Sequence, residues 1–105
     1  MVKRTIIEAI KRYIALLNEE GFFVEKTYLF GSYLNNTETA DSDIDLLIVA
    51  DRFDISNDYL IGKIWALTKK INSKIEPYVI SSEKFYSDDS SPLIQLVKQE
   101  GLEIA

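Results

Sequence analysis

The chain of 105 residues contains no cysteine and no histidine. Without cysteine there is no disulfide and no thiolate metal site. Without histidine, Ser-His-Asp and Cys-His catalysis and the usual zinc sites are excluded together. Any metal must be held by oxygen, which favours Mg2+, Mn2+ or Ca2+. Proline and glycine are sparse, two and four residues, and no Gly/Pro-rich linker divides the sequence. A single domain over residues 1–105 is therefore expected, with room for one hydrophobic core. No apolar run approaches the ~18–20 residues that span a membrane. Glu8 interrupts any signal-peptide core near the N-terminus, so a soluble cytoplasmic protein is expected. Basic residues are outnumbered, 12 against 17, for a net charge of −5. That balance, with no basic block, argues against tight binding to duplex nucleic acid, where phosphate neutralisation dominates affinity. What is present is 47% hydrophobic and 28% charged, the composition of a globular fold rather than a fibre or a disordered tail.

Periodicity predicts a helix over residues 4–20, with Ile6, Ile7, Ile10, Tyr13, Ile14 and Leu17 on one stripe and Gly21 past its end. Lys26–Phe30 closes an aromatic, β-branched run and reads as a strand. Residues 31–42 form a polar loop without periodicity. Residues 43–50, Asp-Ile-Asp-Leu-Leu-Ile-Val-Ala, read as a central strand covered on both faces. A second helix is predicted over 57–71, capped by Ser56 or Asn57, with Leu60, Ile61, Ile64, Trp65, Thr68 and Ile71 on its buried stripe. Residues 74–80 make a third strand, which Pro77 places at an edge or leaves paired on one side only. Ser91 and Pro92 open a last helix running to about Glu100, with Gly101 beyond it. Asp88 and Asp89 read as a solvated loop before it, and Leu102 and Ile104 as an apolar tail able to dock. The order of elements implies an α/β fold, of α+β type: one small mixed sheet with helices packed on it.

Asp43 and Asp45 open the second predicted strand. Two-residue periodicity points both carboxylates to one face. Adjacent carboxylates repel unless a cation lies between them, so oxygen ligands side by side suit Mg2+. Taken alone, Asp41-Ser42-Asp43-Ile44-Asp45 is equally an acidic turn capping backbone amides. An EF-hand loop fails, because Leu46 stands where glycine is needed and Arg52 where a bidentate Glu is needed. Gly31 and Ser32 leave the first strand, where a glycine turns amides outward and a hydroxyl can meet a phosphate, or where the pair makes a plain turn.

The combination is more specific. Gly31-Ser32, ten residues (33–42), then Asp43-x-Asp45 in the context Asp41-Ser42-Asp43-Ile44-Asp45-Leu46-Leu47 resembles the signature of the DNA polymerase β-like nucleotidyltransferase superfamily. More narrowly, the chain resembles the minimal nucleotidyltransferase (MNT) domains. The resemblance implies transfer of a nucleoside monophosphate, AMP from ATP, to an acceptor hydroxyl, with Mg2+ or Mn2+ held by Asp43, Asp45 and a third carboxylate. The matching third position is Glu76, where the family more often has Asp; a solvated edge-strand residue is its other reading. Gly31, Ser32, Tyr33 and Ser42 would line the nucleotide, Tyr33 as a stacking ring or simply an exposed loop tyrosine. The loop departs from the family pattern, since no basic residue lies between Gly31 and Arg52. Charge neutralisation would then fall to metal ions and to Lys63, Lys69, Lys70 or a partner. Trp65 and Tyr59 on the second helix lie away from this motif, and core packing is the expected role of Trp65. A partner is also implied, because MNT domains commonly pair as antitoxins with a small all-helical HEPN protein. Two functions follow: a metal-dependent transferase modifying that partner, or a weak or inactive nucleotide-binding module that neutralises it by binding. A glycosyltransferase Asp-x-Asp site is not expected, since a nucleotide-sugar fold needs a longer chain.

Overall fold

The computed structural model describes residues 2–50, 58–87 and 91–104. Ser56, Asn57, Asp88 and Asp89, discussed above, lie outside the described residues. The chain runs α1 (Arg4–Glu19), β1 (Lys26–Phe30), β2 (Ile44–Val49), α2 (Asp58–Thr68), β3 (Ile75–Ile80), α3 (Ser82–Ser87), α4 (Pro92–Glu100) and β4 (Leu102–Glu103). The four strands make one mixed sheet in the order β3-β2-β1-β4. β1 is antiparallel to β2 and β4, and β2 is parallel to β3. The expected mixed α/β architecture is therefore present.

Helix α1 ends as its sequence dictates. Gly21 takes φ +89°, its amide donates to Asn18 O (3.0 Å), and Phe22 donates to Leu17 O (3.0 Å). These two bonds form a Schellman cap, and Phe22 and Leu17 are buried together beneath it. α4 begins with Ser91 Oγ accepting from Ile94 N, followed by Pro92 in the first turn. Pro77 sits on β3, the edge strand, where its missing N–H costs least.

Alternation along β2 divides the core. Ile44, Leu46 and Ile48 face Ile10, Tyr13, Leu17, Ile64 and Leu67 of α1 and α2. Leu47 and Val49 face Phe85, Ile94 and Val97 of α3 and α4. Both faces of the central strand are covered, which explains its continuous apolar run. Tyr13 donates its buried hydroxyl to Ile64 O at 2.8 Å, joining α1 to α2.

Three expectations need correction. Trp65 is not in the core; it is 41% exposed. α2 buries Ile64, Leu67 and Thr68, a three-and-four spacing that turns position 65 to the flank. α2 also stops at Thr68 rather than 71, where tighter turns take over, such as Ile71 N to Thr68 O at 3.0 Å. Tyr33 is not an exposed loop tyrosine; it is 8% exposed and belongs to the α1/α2-side core. Two elements were not anticipated. α3 is six residues long with one fully apolar anchor, Phe85. β4 is the apolar tail, docked by backbone pairing of Leu102 and Glu103 with β1.

Candidate active site

The site forms where β1 ends and β2 and β3 begin. Antiparallel register sets Phe30 opposite Asp45, and parallel register sets Asp45 opposite Glu76. Phe30, Asp45 and Glu76 thus form one row across three strands. Two-residue alternation puts Asp45 on the face that carries Leu47 and Val49, and Glu76 on the face that carries Tyr78 and Ile80. The carboxylates therefore continue the α3/α4 side of the sheet past the end of its apolar cluster.

Gly31 follows Phe30 with φ +81°. A Cβ built there would collide with Asp45 Oδ2. The turn is thus packed against the carboxylate, and only a residue without a side chain permits both the backbone angle and the approach. After Gly31 the chain makes a short helical turn. Leu34 N and Asn35 N donate to Gly31 O at 3.1 and 3.2 Å, and Thr37 N donates to Ser32 O at 3.0 Å. The amides of Ser32 and Tyr33 precede these internal bonds. Among the described residues no protein group bonds the Ser32 hydroxyl.

Electrostatics bind the acidic residues into one unit. The Asp45 carboxyl is pushed up to about 6, first by burial and then by the charges of Glu76 and Asp43 and a hydrogen bond with Glu76. Tyr78 donates its hydroxyl to Glu76 Oε1 at 3.0 Å. Its phenol is pushed up to about 12, by burial, by that bond, and by the charges of Glu76, Asp45 and Asp43. Asp43, Asp45 and Glu76 therefore act on the same groups.

The structure brings Gly31, Asp45 and Glu76 together, with Asp43 beside them and Ser32 following. It does not gather the rest. Tyr33 packs on the α1/α2 side of the sheet. Ser42 Oγ accepts from Thr39 N at 2.8 Å and so shapes the loop. Lys63 pairs with Glu20 at 3.2 Å. Lys69 and Trp65 line a separate cavity of about 370 Å3 between α2 and the start of β3. Two residues not singled out from sequence belong to the site's surroundings. Lys74 donates its ammonium to Ala40 O at 2.6 Å, pinning the loop before Asp43. Tyr78 holds Glu76. The signal for both was the alternation Lys74-x-Glu76-x-Tyr78, with Lys74 one residue before β3.

The donor set is all oxygen and all of one charge, which is the chemistry of Mg2+ or Mn2+. Among the described residues no three carboxylates stand at the spacing that would cage an ion. The arrangement is a pair, Asp45 and Glu76, with Asp43 flanking it. It fits a hard divalent cation by donor type and by the mutual repulsion such a cation would relieve. The same face sets a glycine turn beside a carboxylate pair, an arrangement chemically able to meet phosphate oxygens and a cation together. Among the described residues no helix is long and apolar enough to cross a membrane.

Known proteins share this chain's sequence and fold. Residues 7–98 match the nucleotidyltransferase domain family. A Methanocaldococcus jannaschii protein named "putative protein adenylyltransferase" is 35% identical over 95 residues, covering 90% of this chain and 92% of its own length. A toxin–antitoxin crystallised with AMP-PNP contains a chain that is 27% identical, with a TM-score of 0.62, over 94% of this chain and 72% of that one. A nucleotidyltransferase-named crystal structure from Sulfolobus solfataricus shares the fold at 15% identity, with a TM-score of 0.59, over 93% of this chain and 78% of that one.

Proposed function

This chain belongs to the nucleotidyltransferase domain family, and from that premise we propose that it transfers AMP from ATP to a hydroxyl of a protein partner. The observation that carries the proposal is the packing of Gly31 against Asp45, in register with Glu76. It joins a turn suited to phosphates to a carboxylate pair on one face. The adenylyltransferase name of the archaeal relative supports AMP as the group transferred and protein as the acceptor. The toxin–antitoxin neighbour supports a protein partner, for which a small all-helical HEPN-type protein is the proposed identity.

In this reading Gly31 and the amides and hydroxyl of Ser32 bind the triphosphate, with Ser42 on the loop nearby. Asp45 and Glu76, with Asp43 flanking them, would hold Mg2+ or Mn2+, which would supply charge neutralisation at the phosphates and acidify the acceptor hydroxyl. The acceptor oxygen forms a bond to the α-phosphorus while the bond from that phosphorus to the bridging oxygen of the β-phosphate breaks. Pyrophosphate leaves, and the acceptor proton passes to the Asp45–Glu76 pair.

A second reading, neutralisation of the partner by binding alone, is favoured by one observation: among the described residues the three carboxylates do not form a cage. Pyrophosphate release separates the two. With ATP, Mg2+ and the product of the adjacent reading frame, the wild-type protein should release pyrophosphate and Asp45→Asn should not. A stable complex with no release from the wild type would reject transfer and keep binding.

A further inference from the structure

Glu76 differs from Asp45 in how firmly its backbone can hold its carboxylate. Three side-chain torsions separate the Glu76 carboxylate from the sheet, against two for an aspartate. Each additional free torsion is conformational freedom that must be lost before an oxygen can serve a defined position. Glu76 is half-buried on an edge strand, and among the described residues no neighbouring strand flanks it on the outer side. Something else must restrain it if it is to act with Asp45.

Tyr78 is placed to do so. It lies two residues on along β3, on the same face, and donates its hydroxyl to Glu76 Oε1 at 3.0 Å. The phenol is itself fixed. Its ring packs against Phe30 with centroids 5.7 Å apart and planes inclined at 51°. Phe30 is 8% exposed, pairs with Asp45 in register, and directly precedes Gly31. A closed chain of contacts results: Phe30 at the end of β1 with Gly31 just beyond it, Asp45 on β2, Glu76 and Tyr78 on β3, and back through the two rings. A tyrosine has a rigid ring and few torsions, so it loses little freedom in making such a bond.

We propose that Tyr78 is a positioning residue for the transfer reaction: its hydroxyl, held by Phe30, fixes Glu76 so that Oε2 is presented beside Asp45. The proposal rests on the transferase reading above and adds to it the element that makes a glutamate usable at this position. Partners one step removed from a metal's ligands typically change affinity or activity by about 10–100-fold when removed.

The test uses the whole chain and Mn2+ alone, titrated by electron paramagnetic resonance without nucleotide. Tyr78→Phe removes one oxygen and keeps the ring on Phe30, so the metal-free melting temperature should stay close to that of the wild type. Mn2+ binding should weaken about tenfold. In the Glu76→Gln background, Tyr78→Phe should have no further effect, because the carboxylate that the hydroxyl positions is already gone. Wild-type affinity in Tyr78→Phe would overturn the proposal. So would a Tyr78→Phe loss that adds in full to that of Glu76→Gln, since the hydroxyl would then act elsewhere. Asp45→Asn is the control for the underlying reading. If it binds Mn2+ as the wild type does, the metal site itself is wrong and this inference falls with it. If only Tyr78→Phe is silent, the site stands and the inference alone fails.

Discussion

Gly31 and Asp45 are in contact where β1 ends and β2 begins, and a side chain at position 31 would displace the Asp45 carboxylate. The glycine also adopts φ +81°, so angle and approach both demand it. Gly21 provides an internal comparison. Its φ is +89°, yet nothing lies within 4 Å of a Cβ built there. Gly21→Ala should therefore cost only the left-handed backbone penalty, about 1–2 kcal/mol, and leave transfer intact. Gly31→Ala should cost at least as much in stability and also abolish transfer, because Asp45 must move. Urea unfolding midpoints and activity on both variants check this.

The Asp45 carboxyl predicts an unusual pH dependence. Its pKa rises on folding from an ordinary 3.8 to about 6, so the folded state binds more protons than the unfolded state between those values. Stability of the metal-free protein should fall as pH rises from about 4 to 6, with this group's contribution constant above that range. Asp45→Asn should flatten that slope and match or exceed the wild type in melting temperature at pH 7. Melting curves across pH with chelator present measure it. Divalent cation should reverse the loss in the wild type only.

The loop after Gly31 lacks a cation, and Asn35 is exposed on it. Asn35→Lys should tighten ATP binding about two- to fivefold at low salt, the worth of an exposed charge pair, and the gain should shrink as salt is added. Calorimetry at two ionic strengths reads both effects. Equal affinity in the two proteins would mean that the triphosphate does not pass this loop.

Tyr13→Phe removes the buried bond to Ile64 O, while that carbonyl keeps its place in the α2 ladder. The cost should be about 0.5–1.5 kcal/mol, visible as a lower denaturation midpoint. Transfer at the folded protein should persist, because α1 and α2 pack on the face away from Asp45 and Glu76.

Much of this fold was legible because its signals are local. The stripe of Ile10, Tyr13, Ile14 and Leu17, the Gly21 cap, the end of β1 at Phe30 and the edge position implied by Pro77 each depend on a few neighbouring residues. What escaped depends on contacts distant in sequence. β4 is two residues whose identity as a strand is decided by β1, about 75 positions away along the chain. α3 is a short polar segment held by one ring, Phe85, against the far face of the sheet. Tyr33 reads as a loop residue, yet the turn after Gly31 folds it into the core. In the site, Asp43 and Asp45 are legible from spacing. The pairing of Glu76 with Asp45, and hence the role of Tyr78, follows from parallel register, which periodicity does not encode.

As proposed, one face of this sheet, Gly31 with Asp45 and Glu76, transfers AMP to a partner protein. Intact mass spectrometry of the partner tests it most directly, after co-expression of the adjacent gene product and incubation with ATP and Mg2+. The wild-type protein should add one or more adenylyl groups to the partner, and Asp45→Asn should add none while the complex stays intact. An unmodified partner in a stable wild-type complex, or equal modification by Asp45→Asn, would contradict the account.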